Sequence, residues 1–352
     1  MQTAAIDKDE ITVKIEKLSN LGYGIAKIDG YVIFVPDVCP EDVVKIRIVK
    51  KNKNFANAKV IELIEPSSYR VTPKCPMQKV CGACQMQFID YEYQMKIKKE
   101  IVQDAMKSIL GEEITISDVI PSPQIYNYRH KIQYPIGQTQ NSKRILAGYY
   151  KPSSHELVNI KFCPIQPQYC DEIIDFIRKE AQTLNISGYS EKANKGLLRH
   201  VVIRASKQTG KFLVTLVINS NEQNESILKL AKRIYNDLDN INGVTINFNS
   251  RKTNLILGEK SKLVEGRDYV EESLCDKTFK IGEKTFFQVN PSSADNIFRY
   301  VKKYISENYA EPVIMDAYAG ISAFGICLSD IAKKVVSVEE VTPSIELAKN
   351  LI

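Results

Sequence analysis

Apolar and polar positions alternate in short runs over the first sixty residues. Ile11-Thr12-Val13-Lys14-Ile15, Gly24-Ile25-Ala26-Lys27-Ile28 and Tyr31-Val32-Ile33-Phe34-Val35 each read as a half-buried strand, and Asp29-Gly30 between the last two is a hairpin turn signal. Val43-Val44-Lys45-Ile46-Arg47-Ile48-Val49 and Ala56-Asn57-Ala58-Lys59-Val60-Ile61 form a further pair. Five short strands packed this closely predict a small barrel of the OB type. The period then changes: Ile97, Ile101, Val102, Ala105, Met106, Ile109 and Leu110 recur at helical spacing up to Gly111. Farther on, strands over residues 198–204, 212–218 and 244–248 alternate with helices near 171–183 and 225–238, which predicts an α+β domain with an antiparallel sheet.

A different pattern ends the chain. Val313-Ile314-Met315-Asp316 is a short apolar run leading through Ala317-Tyr318-Ala319-Gly320 into a helix start, and Lys334-Val335-Val336-Ser337-Val338 leads to Glu339, nineteen positions beyond Gly320. Two parallel strands of a nucleotide-binding sheet fit this pattern, with the glycine at the helix N-terminus and Glu339 placed to accept ribose hydroxyls. The expected fold class is α/β multidomain. Residues 1–66 form the barrel, 67–280 the central α+β domain and 281–352 the N-terminal part of a Rossmann-like domain that stops short of its later strands. Glu346-Leu347-Ala348-Lys349-Asn350-Leu351-Ile352 reads as an uncapped helix, so truncation is expected.

Composition narrows the classes. The 352 residues are 44% hydrophobic, and 48 Lys and Arg against 42 acids leave a net charge of +6, too modest to require a nucleic-acid partner. The cations are clustered, however. Six Lys or Arg and no acid lie between Val43 and Ile61, with Phe55 among them, a pattern that suits a phosphate backbone or a solvated hairpin equally well. Two further basic patches surround Tyr126-Asn127-Tyr128-Arg129-His130-Lys131 and Arg199. The start Met1-Gln2-Thr3-Ala4-Ala5-Ile6-Asp7 has no basic flank or apolar core of a leader, so a cytoplasmic monomer without membrane attachment is expected.

Four of the eight cysteines, Cys39, Cys170, Cys275 and Cys327, are scattered like small core residues. Cys75, Cys81 and Cys84 instead fall within ten positions among Pro, Gly and polar residues, and Cys163-Pro164 lies far downstream. Four thiolates from two segments can hold zinc or a [4Fe-4S] cluster. A second Cys-x2-Cys knuckle is lacking, which favours iron–sulfur, and the spacing does not suit radical chemistry.

Taken in order, the barrel with Gly22-Tyr23-Gly24-Ile25-Ala26, Cys-x5-Cys-Gly-Ala-Cys-x2-Gln, Arg129-His130-Lys131, Leu198-Arg199-His200-Val201-Val202-Ile203-Arg204, Phe287-Gln288-Val289-Asn290 and Asp316-Ala317-Tyr318-Ala319-Gly320 resembles the RNA (uracil-5)-methyltransferases of the 23S rRNA-modifying kind. The likeness covers almost the whole chain and makes the barrel similar to a TRAM domain. It implies a [4Fe-4S] cluster on Cys75, Cys81, Cys84 and Cys163, and S-adenosylmethionine contacts from Gln288, Tyr318 and Glu339, with 23S rRNA as the partner. Ser322 and Ala323 depart from the family pattern, and a Cβ at 322 is expected to crowd the cofactor. The family's nucleophilic cysteine and its base follow later strands, so no catalytic residue is assigned here and the chain is expected to be inactive. The competing expectations are a non-catalytic RNA-binding iron–sulfur protein, or a tRNA rather than an rRNA enzyme.

Overall fold

The computed structural model describes residues 10–349, so the N-terminal stretch read for a leader and the last three residues of the chain lie outside the described part. It divides into two compact units, residues 1–121 and 122–352, where the sequence suggests three domains.

The first unit is built on strands β1 (Glu10–Lys14), β2 (Lys17–Leu18), β3 (Gly24–Ile28), β4 (Tyr31–Val35), β5 (Val43–Lys51) and β6 (Phe55–Glu65). They form one sheet in the order β1-β5-β6-β4-β3-β2, antiparallel except for β4 and β6. Its end strands β1 and β2 are joined in the chain by Ile15 and Glu16 alone, so the sheet must curl to bring its two edges together. Asp29 (φ 48°) and Gly30 (φ 81°) make the β3–β4 turn with both residues left-handed, the geometry that matches strand twist in a two-residue hairpin. Val13, Ile15, Ala26, Ile33, Val35, Val44 and Ile46 fill the interior. Beyond the sheet, fully buried Asp42 accepts from the Ser67 amide at 2.9 Å and from Arg70 Nε and Nη2 at 2.8 and 2.7 Å, which pins the outgoing chain. Helix α1 (Tyr91–Leu110) starts on an Asp90 side-chain cap to the Tyr93 amide and ends at left-handed Gly111 (φ 75°).

The second unit is centred on a seven-stranded sheet of β7 (Lys131–Gln138), β8 (Ile145–Tyr150), β9 (Leu157–Asn159), β10 (Leu198–Ala205), β11 (Phe212–Ile218), β12 (Ile241–Phe248) and β13 (Lys260–Gly266), ordered β13-β12-β11-β10-β7-β8-β9. The sheet is mixed, not antiparallel as expected. Helix α3 (Glu225–Asp237) carries the chain from the end of β11 back to the start of β12, and such a crossover makes the two strands parallel. Helices α2 (Tyr169–Thr183) and α3 seal one face with Ile173, Ile177, Ile227, Leu230 and Ile234 against Tyr134, Val201, Val214 and Ile246.

The opposite face carries a second core. Hairpin β14 (Tyr269–Leu274) and β15 (Lys277–Gly282) and helix α4 (Pro291–Asn308) pack Val270, Phe279, Ile281, Ala294 and Phe298 with Leu213 of β11 and with Ile321 and Cys327. This hairpin went unread in the sequence. Strands β16 (Val313–Ala317) and β17 (Lys334–Val338) pair in parallel as expected, flanked by α5 (Ala323–Leu328) and α6 (Thr342–Lys349). Their apolar residues are poorly covered, with Val313 67% and Met315 70% exposed. No helix among the described residues is long and apolar enough to cross a membrane.

Candidate cofactor turn and basic surfaces

The parallel pairing of β16 and β17 sets the geometry of the turn that follows. Ala319 N donates to Val338 O at 3.0 Å, which holds the segment after β16 beside the end of β17. Glu339, the first residue past β17, accepts from Gly320 N at 2.7 Å and from Val341 N at 2.8 Å. Those amides, Val341 first and then Gly320, hold its carboxyl below the usual carboxylate range, so it is an anion. A carboxylate has acceptor capacity beyond these two bonds for a ligand such as a ribose diol.

Tyr318, Gly320 and Ser322 all have left-handed backbones, at φ 59°, 58° and 57°. That conformation costs a tyrosine energy, and such strain concentrates where a ligand is bound. The Tyr318 ring is 95% exposed. Gly320 faces open space, so its glycine serves backbone conformation and not clearance.

Ser322 behaves differently from the expectation. Its side chain is buried and its hydroxyl lies 2.6 Å from that of Ser337 on β17, so the group points into the fold. The crowding falls on Gly325, where a Cβ would come within 2.4 Å of Ser322 Oγ and 2.7 Å of Ser337 Oγ. Asp316 completes the turn by accepting from Gly325 N at 2.9 Å.

Gln288 lies just ahead of α4. It is exposed beside a small cavity also lined by His130, Arg204 and Glu272, and the structure gives it no bond to Tyr318 or Glu339. Its neighbours are well fixed: Asn290 caps α4 by accepting from Ser293 N at 3.1 Å, and His130 N donates to Val289 O at 2.7 Å. The structure places Tyr318, Gly320 and Glu339 on one turn, and Gln288 just ahead of α4.

Cys75, Cys81 and Cys84 share a turn-rich segment of the first unit, where Cys81 N donates to Met77 O at 2.8 Å. Cys163 belongs to the second unit, its amide donating to Asp171 Oδ2 at 3.3 Å. Among the described residues no three His, Cys, Asp or Glu side chains are gathered so as to hold a metal ion. Burial, and then the neighbouring Cys84 and Cys75, raise the Cys81 thiol, opposing the thiolate form a metal needs.

The basic patches divide into spent and exposed cations. Lys45 and Arg47 on β5 both pair with Glu10, whereas Lys50, Lys51, Lys53 and Lys59 are exposed and Phe55 meets Phe34 edge to face at 5.7 Å. Arg199 is buried: its Nη1 donates to Asn249 O and Arg251 O at 3.0 and 2.7 Å, its Nη2 donates to Thr253 O at 2.6 Å, and it covers the Tyr189 ring at 4.8 Å. It fastens a loop and has no face for phosphate. Lys131 and Arg204 are cross-strand partners. Burial first, then Arg204 and Arg129, lowers Lys131 to about 8, and burial lowers Arg204 to about 10.

Comparison with known proteins accords with this arrangement. The TRAM domain family matches residues 8–61. An uncharacterized RNA methyltransferase of Clostridium acetobutylicum is 36% identical over 344 residues, 97% of this chain and 74% of the relative. Another, from Oceanobacillus iheyensis, is 33% identical over 347 residues, 98% of this chain and 74% of the relative. Among solved structures, the Pyrococcus abyssi tRNA (uracil-54, C5)-methyltransferase in complex with S-adenosyl-L-homocysteine aligns with a TM-score of 0.74 at 25% identity, covering 96% of this chain and 75% of that one. With a matched TRAM domain at one end and a strand–turn–helix carrying an ionised carboxylate at the other, the chain belongs to the RNA methyltransferase family.

Proposed function

We propose that this protein serves S-adenosylmethionine-dependent methylation of uracil C5 in RNA, 23S rRNA being the substrate that the ordered motifs favour. The observation that carries the reading is Glu339, an anion bonded to Gly320 N at the C-terminal ends of two parallel strands. Dinucleotides and adenosyl groups are held at such strand ends, their ribose on an acidic side chain. The uracil C5 assignment draws further support from the P. abyssi relative, whose own substrate is a tRNA. Binding of 23S rRNA and binding of tRNA are therefore the two arms of one assay.

Adenosylmethionine would be held by Glu339 and by the strained Tyr318–Gly320 turn, with Gln288 a further contributor. When bound it supplies an electrophilic methyl group on sulfur. To receive that methyl group, C5 must be made nucleophilic by thiolate addition at C6. The scattered thiols are poorly suited to that role. Burial pushes Cys39 up to about 11 and Cys327 up to about 12, and raises Cys170 and Cys275 as well. None of the four is assigned as catalytic.

A [4Fe-4S] cluster on Cys75, Cys81, Cys84 and Cys163 belongs to the same proposal. It rests on the polar, Pro-flanked spacing of the four cysteines. No step of the reaction is routed through it.

Replacing Glu339 by Ala should weaken S-adenosylhomocysteine binding about ten- to a hundredfold, since hydrogen bonds to charged groups contribute roughly 1.5–3 kcal/mol. Calorimetry would measure it, and unchanged affinity would remove Glu339 from the site. Because its carboxyl is held below the ordinary 4.5, the anion is fully present above that value and lost only as pH falls through the lowered one. Wild-type affinity should thus be flat from about pH 8 to pH 5.

RNA binding by the first unit should depend on exposed Lys50, Lys51 and Lys53, and should weaken steeply with salt. Changing all three to Glu without loss of affinity at low salt would exclude this hairpin. Incubation of the 352-residue chain with labelled adenosylmethionine and either 23S rRNA or tRNA should give no methyl at uracil C5; incorporation would show that one of the cysteines is activated after all. Protein purified without oxygen should absorb broadly near roughly 400 nm, as thiolate-bound iron does, whereas stoichiometric zinc would replace the cluster by a different metal.

A further inference from the structure

The face of the seven-stranded sheet opposite α2 and α3 is covered by the β14–β15 hairpin and its flank over β11 to β13 and the Arg204 end of β10. Toward β7, β8 and β10 it opens into a recess of about 870 Å3. Its wall is aromatic: Tyr150 and His155 lie 5.3 Å apart, and Tyr189 lies under the Arg199 guanidinium. His200 of β10 also lines it, and burial lowers that imidazole to about 3, so the ring is neutral at physiological pH. Its Nδ1 is buried and has no hydrogen-bond partner among the described residues, and Gln133, Gln138 and Asn254 add side-chain amides to the lining.

Charge is confined to the rim. Lys192 and Lys252 line the opening and are exposed, while Glu191, the acid nearby, is engaged by His155 Nδ1 at 2.8 Å. The guanidinium of Arg199 is consumed by the backbone carbonyls of the loop that presents Lys252. A neutral ring-lined floor beneath a cationic rim is selective: it takes a planar uncharged group inside and leaves an anion at the mouth.

We propose that this recess binds a single-stranded nucleotide of the RNA, its base against Tyr150 and Tyr189 and its phosphate at Lys192 and Lys252. The site is separate from the Glu339 turn, and its assignment rests on the RNA reading given above. Binding of a base here gives the second unit a sequence-bearing contact, since stacking pockets with a polar wall atom read bases, whereas exposed lysines read only phosphate.

The test uses the full chain and two probes, a 23S rRNA transcript and a tRNA transcript, each substituted with 4-thiouridine. After irradiation, crosslinked peptides containing Tyr150 or Tyr189 are expected with at least one of them. Tyr150→Ala should weaken binding about tenfold, in line with the loss of one stacked base, and Tyr150→Phe should restore it because the ring is kept. Lys252→Glu should weaken binding and flatten its salt dependence. Thermal melting of each variant separates these losses from unfolding. Crosslinks confined to the Lys50–Lys59 hairpin, with Tyr150→Ala and Lys252→Glu binding as wild type, would overturn the recess and leave the RNA reading standing. A wild-type chain that binds neither transcript at low salt would overturn both.

Discussion

A single buried carboxylate ties the two halves of the second unit together. Glu283, just past β15, accepts from Thr245 Oγ1 at 2.9 Å and from Ser261 Oγ, and Thr215 Oγ1 lies 2.8 Å from Thr245 Oγ1 and 3.2 Å from the carboxylate. Thr215 and Thr245 are register partners on β11 and β12, so the hydroxyls sit on the face that α2 and α3 do not cover. A sheet face bearing hydroxyls cannot be sealed by an apolar helix without orphaning them, at roughly 1–3 kcal/mol each. The β14–β15 hairpin solves this by bringing its own acceptor. Through Phe279 and Ile281 the same hairpin, with Phe298 of α4, then carries the core that supports Ile321 and Cys327, so the cofactor turn is positioned from this polar patch outward.

That constraint explains which parts of the molecule could be read in the sequence. Strands β10, β11 and β12, helices α2 and α3, the Asp29-Gly30 turn and the Gly111 cap were legible because each is specified by its own periodicity or by a local left-handed residue. The mixed sheet was not, because the pairing of β11 with β12 is decided by a crossover helix and not by either strand. Hairpin β14–β15 was missed for a related reason. Tyr269-Val270-Glu271-Glu272-Ser273-Leu274 carries two acids, and only the structure shows Glu272 accepting from the Lys207 and Gln208 amides at 2.7 and 3.2 Å.

The site was legible in part. Glu339 and Gly320 could be paired from spacing alone, since both follow short strands whose parallel register sets their ends side by side. Ser322 could not be read correctly, because the direction of its side chain depends on a left-handed φ and on Ser337 across the strand pair. The true steric demand sits three residues later, at Gly325. Gln288 illustrates the reverse case: its motif is recognisable, yet its neighbours here are His130 and Arg204.

Cation clusters were the least legible feature, because a run of Lys and Arg in sequence says nothing about which donors are already used. Arg199 and Arg204 sit in buried strand positions, and their guanidiniums are committed to backbone carbonyls, Arg204 to Thr285 O. Desolvated cations of this kind fix loops, and their charge is poorly placed to attract a polyanion from solution. Lys192 and Lys252 have the opposite character, exposed at the mouth of a neutral recess. The division follows from the fold: β10 is central and its arginines are buried, so they must be satisfied internally, while the loops at its ends remain at the surface and carry the charges that stay available.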